Sequence, residues 1–115
     1  MSGHSQPLGS LETALNHAAR LLRTQPALAA EQAAEILKVA PAHPPALLLL
    51  ALAQRACGDA TAALEGLQQL LSRQPNWAQA HYELGMTLGM VGQGEPAIAA
   101  LRRAVALKPD MPDAW

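Results

Sequence analysis

The chain has 115 residues and a formal net charge of −1, and half of it is hydrophobic, with no Phe and 3% aromatics. That length builds one core and leaves no room for a second domain, and its apolar content is nearly all Ala and Leu, the strongest helix formers. Near-neutral charge with scattered Lys and Arg excludes the concentrated basic face that nucleic acid requires, and the longest apolar run, Ala46 to Ala53, is too short to span a bilayer.

In chain order, residues 1–9 read as a disordered tail, and helices are predicted over 11–23, 27–39, 45–57, 60–73, 78–91 and 95–107. No alternating run of β-branched and aromatic residues suggests a strand, so the fold class is all-α. Pro41, Pro75 and Pro109 lie 34 residues apart, and Gly58 and Gly92 repeat that interval. Each of these prolines follows an apolar stretch and stops a helix. Each glycine sits mid-unit, where a left-handed residue ends one helix and a tight turn starts the next. The unit is helix, turn, helix. Pro26, Pro45 and Pro96 fall in first turns, and Asp59 is placed to cap the fourth helix. In the fifth helix His81, Leu84, Gly85 and Leu88 share one face, while in the sixth Ala97, Leu101 and Ala104 do so with Arg102 and Arg103 opposite.

These residues resemble the tetratricopeptide repeat family. Segment 78–111 carries its pattern in Leu84-Gly85, Gly92, Ala97, Leu101, Ala104 and Pro109, with His81 in the usual aromatic place. Segment 44–77 repeats it in Leu50-Ala51, Gly58, Ala63, Leu67, Leu70 and Pro75. Segment 10–43 keeps Ala29, Ala33, Ile36 and Pro41, but has polar Asn16 and His17 where Leu-Gly belongs, so its first helix is degenerate or shifted by about two residues. Residues 112–115, closing on Trp115, are similar to the opening of a fourth repeat, which suggests a piece of a longer protein. The resemblance implies a right-handed superhelical solenoid of about three repeats, whose first helices line a concave groove for a peptide or partner protein.

Carried over residue by residue, that groove comprises Leu48, Leu52, Arg55, Tyr82, Met86 and Met90, with Trp77 and Gln79 at its edge. Adaptable Met and amphipathic Tyr suit a helix or extended peptide, although Leu47 to Leu50 and Leu52 surround their helix so fully that coverage by a neighbouring helix is the other reading. The Lys and Asn with which one subgroup of the family clamps chaperone carboxylates are missing: Ala14, Ala18, Leu48 and Leu52 stand in those places.

No catalytic, cofactor or metal residues are assigned. His4, His17, His43 and His81 have no partner at ligand spacing, and His81 reads as a packing residue. Cys57 reads as a small buried hydrophobe without a base to activate it. Gly92 to Ala97 formally fits G-x-G-x-x-A, but follows a helix rather than a strand. Gly85 and Gly89 form G-x-x-x-G, which admits a close partner helix. Glu31 and Glu35 read as a solvated face. With one Cys and no apolar signal core in MSGHSQPLGS, a reducing cytoplasm is expected.

Three functions compete: a protein-interaction scaffold using the groove, the non-catalytic repeat region of a larger enzyme, and an oligomerisation module that forms a homodimer through Ile98, Leu101 and Val105 of the exposed C-terminal repeat. The second draws on a resemblance to the repeats preceding bacterial sulfotransferase domains, carried by the Ala/Leu-rich units and the closing DMPDAW.

Overall fold

Six helices make up the structure, a computed structural model that describes residues 7–108: α1 (Pro7–Leu21), α2 (Pro26–Val39), α3 (Pro44–Ala56), α4 (Ala60–Arg73), α5 (Ala78–Met90) and α6 (Gly94–Leu107). No strand occurs among the described residues. The expected fourth-repeat segment 112–115 and residues 1–6 of the expected tail lie outside them. Helix boundaries from α2 onward agree with the expectation to within one residue, because the prolines and glycines that set them act locally. The first helix does not: it begins at Pro7, inside the expected tail, since a proline is well suited to a first turn.

Two of the three hairpins close alike and the first differs. After α3, Gly58 takes φ +91°, its N–H bonds Arg55 O at 3.0 Å, and Asp59 N–H reaches Gln54 O at 2.8 Å. After α5, Gly92 at φ +83° repeats this with Gly89 O at 3.2 Å and Gln93 to Leu88 at 2.9 Å. These are Schellman closures, which satisfy the last carbonyls and need a left-handed residue. Asp59 then caps α4, accepting from the Ala62 N–H at 3.2 Å.

The α1–α2 turn has Thr24 in phase with Gly58 and Gly92, and among the described residues no non-glycine takes positive φ. It instead uses residues 22–25, one more than 57–59 or 91–93, with Gln25 N–H bonding Leu21 O at 2.7 Å. The extra residue moves the face of α1 by one position. Counted back from the helix end, Ala18 corresponds to Ala53 and Thr87; all three are fully buried, Ala18 packs with Ala33 and Leu49, and His17 is exposed. The first repeat is therefore shifted by one residue.

Each helix packs on the next in sequence, and α1 also touches α3 and α3 touches α5, whereas second helices of successive hairpins meet at most marginally. Contact along one layer and separation along the other bends the stack, with α1, α3 and α5 inside. The shape is elongated, 53 × 27 × 24 Å with a radius of gyration of 14.7 Å, against about 13 Å for a compact domain of this length. The core lies in the seams: Leu48, Ala51, Ala63, Leu67 and Ala80 join the second hairpin to α5, and Leu88, Ala97 and Ala100 close the third. Alanines dominate because interleaved hairpins approach too closely for larger side chains.

Candidate interaction groove

The inner layer carries an apolar ridge along α5. Tyr82, Met86 and Met90 recur at four-residue spacing on one helix face. Tyr82 is half-buried, Met86 is 43% exposed and Met90 59% exposed, so the surface becomes more open toward the helix C-terminus. Across from it on α3, Leu52 is half-buried and packs on the central core cluster. Leu48, expected beside it, is buried within that cluster, so the apolar surface of α3 begins at Leu52.

Arg55 reaches from α3 across to α5. Its Nη2 donates to Glu83 Oε1 at 2.7 Å, and its Nη1 to the Glu83 carbonyl and to Thr87 Oγ1, both at 3.2 Å. Thr87 Oγ1 donates in turn to the Glu83 carbonyl at 2.8 Å, and Gln79 Nε2 donates to Glu83 Oε2 at 3.2 Å. The Glu83 side chain is 8% exposed and Thr87 is fully buried. Such a pair needs all its lone pairs and protons engaged to offset desolvation, and here both carboxylate oxygens are bonded. Arg55 thus bonds Glu83 and Thr87, and Gln79 bonds Glu83.

Neither Glu83 nor Thr87 was a sequence candidate. A signal was present: Arg55 is the sole charged residue of α3 and Glu83 the sole charged residue of α5. Two lone, opposite charges on helices of the same layer are suited to pair.

Trp77 belongs to a different surface. It precedes α5, about 20 Å from Met90 along the helix axis, where it packs on the core and lines a cleft of about 470 Å³ with Pro44, Pro45, Gln74, Pro75 and Asn76. His81 Nε2–H donates to the Pro75 carbonyl at 2.8 Å, and Arg103 Nη2 to Asn76 Oδ1 at 3.0 Å, so both side chains secure this loop. On α6, Ile98 is 51% exposed and lines a second cleft of about 290 Å³ with Leu101, Arg102 and Val105.

Cys57 is exposed, contrary to its reading as a buried hydrophobe, because the cap position ending α3 turns away from the seam. Glu31 and Glu35 are exposed, and Glu35 pairs with Lys38 at 2.9 Å. Of the two glycines spaced for a helix contact, only Gly85 makes one: a Cβ there would stand 2.7 Å from Leu101 Cγ, whereas Gly89 faces open space. Among the described residues no three His, Cys, Asp or Glu side chains could hold a metal ion, and no helix is long and apolar enough to cross a membrane.

A tetratricopeptide repeat family model matches residues 23–107. The chain belongs to the tetratricopeptide repeat family. Among solved structures, these repeats superpose on a mutant of the Thermobaculum terrenum O-GlcNAc transferase with a TM-score of 0.87 and 32% identity, covering 95% of this chain and 21% of the transferase. The tetratricopeptide chain thus spans about a fifth of that protein. Crystal structures of MamA (TM-score 0.78, 24% identity, 90% of this chain and 61% of that one) and of the Yersinia enterocolitica chaperone SycD with a peptide of the translocator YopD (0.79, 15%, 91% and 81%) share the fold. No curated protein matches the chain.

Proposed function

We propose that the concave face of α3 and α5 is a docking surface for a peptide or helix of a partner protein, with Leu52, Tyr82, Met86 and Met90 as its contacts. The observation that carries this reading is the ridge on an inner-layer helix formed by half-buried Tyr82 and exposed Met86 and Met90: large flexible apolar groups left in solvent are costly unless something covers them. The same fold accommodates a peptide in the SycD–YopD complex. Selection of displayed peptides on the wild-type chain, followed by titration against a Met86→Asp/Met90→Asp variant, tests it. Both sites are exposed, so the variant keeps its helical circular dichroism. The selected peptides are expected to lose at least about tenfold in affinity, the scale of losing one buried apolar anchor. Unchanged affinity removes the groove from consideration.

A second reading, that these repeats form the arm of a larger enzyme, is favoured by the 32% identity to part of a transferase. The coding sequence beyond Trp115 tests it: an enzyme domain in frame supports it, and further repeats alone contradict it.

A further inference from the structure

Glu83 is an unusual occupant of a groove wall. It is the single acid of an otherwise uncharged helix, 92% buried, and it takes donors from two helices, Arg55 Nη2 from α3 and Gln79 Nε2 from its own. A planar guanidinium at 2.7 Å from one carboxylate oxygen, with an amide on the other, is the arrangement that recognises a ligand carboxylate. Here the carboxylate belongs to the protein. We propose that Arg55 and Gln79 form a carboxylate-binding site that Glu83 fills from within, so that the groove rejects acidic segments and selects an uncharged, apolar helix.

This inference rests on the groove reading above and adds the partner's chemistry to it. Two physical effects enforce the selection. An intramolecular carboxylate competes at an effective concentration far above that of any free peptide, so an incoming acid does not displace it. An acid that did displace it would leave Glu83 buried without its cation beside a second anion, which is strongly unfavourable. The remaining contact surface, Leu52, Tyr82, Met86 and Met90, rewards apolar side chains and offers no compensating positive charge.

The test uses two peptides with one amphipathic, uncharged helical sequence, one ending in an amide and the other in two aspartates with a free carboxylate. Wild type is expected to bind the amide form more tightly. Glu83→Gln should shift the ratio toward the acidic form by about tenfold, the value of one charge-assisted hydrogen bond, and Arg55→Met in the same background should abolish that gain. A wild-type preference for the acidic peptide, or an unchanged ratio in E83Q, overturns the proposal. Independently of any peptide, the Arg55 Nε–H resonance should stay fixed in wild type under acetate at constant ionic strength and move in E83Q; movement in wild type, or none in a folded E83Q, also overturns it. If E83Q does not fold, the wild-type resonance still decides. Should neither peptide bind any variant, the groove reading fails, and the acetate response continues to judge Glu83 alone.

Discussion

Two glycines four residues apart on α5 show how much a single Cβ can mean. At Gly85 an added methyl meets Leu101 Cγ at 2.7 Å and the Ala97 carbonyl at 3.1 Å, so α5 and α6 must separate or Leu101 must leave its rotamer. Overpacking of this kind costs about 1–3 kcal/mol and outweighs the ~1 kcal/mol gained in helix propensity from Gly to Ala. At Gly89 nothing lies within 4 Å, and only the propensity gain remains. Gly85→Ala is therefore expected to lower the urea midpoint and Gly89→Ala to raise it or leave it unchanged, as followed by circular dichroism. The Arg55–Glu83 pair permits a second residue-level prediction. Arg55→Met strands a buried carboxylate and should cost about 3–5 kcal/mol, whereas Arg55→Met/Glu83→Met removes both charges and should recover most of that loss. A double variant as unstable as the single would show that the pair contributes through packing rather than charge. The close approach of α6 at Gly85 was legible in the sequence because a small residue at a fixed place in a repeat has one common purpose. The Glu83 contact was not, since it depends on a side chain 28 residues away reaching across a layer.

At the scale of elements, helix ends were legible and one helix face was not. Prolines and positive-φ glycines act through local backbone geometry, which spacing alone reveals, and α4 occupies the predicted 60–73. The first hairpin departs because Thr24 cannot take the left-handed conformation cheaply, so the turn lengthens by a residue and the face of α1 moves by one position, with Ala18 at the buried place of Ala53 and Thr87. That consequence passes from a turn into packing, and periodicity has no term for it. Glycine substitutions should reproduce the contrast. Gly58→Ala and Gly92→Ala force a Cβ into the left-handed region and are expected to cost about 1–2 kcal/mol each, while Thr24→Gly relieves nothing and should destabilise slightly through the freer unfolded chain. Thermal melts of the three variants check this, and a Thr24→Gly variant more stable than wild type would mean that the first turn is strained after all.

At the scale of the molecule, one feature of the stack matters most: first helices touch along the inner layer while second helices diverge. That difference sets α3 and α5 in one layer, and the docking face proposed above draws on Leu52 of α3 and the Tyr82–Met86–Met90 ridge of α5. The eight groove residues expected from the sequence divide under this geometry. Leu48 goes to the core, Arg55 and Gln79 to Glu83, and Trp77 to a cleft at the opposite end of α5. Repeat position identifies the layer of a residue, but burial and pairing depend on neighbours two helices away. The most direct measurement of the central claim is an amide chemical-shift map of the chain with a peptide selected on it. The largest changes are predicted at Leu52, Tyr82, Met86 and Met90, with α2, α4 and the outward face of α6 unperturbed. Changes confined to those outer helices, with the α3 and α5 resonances unmoved, would contradict it.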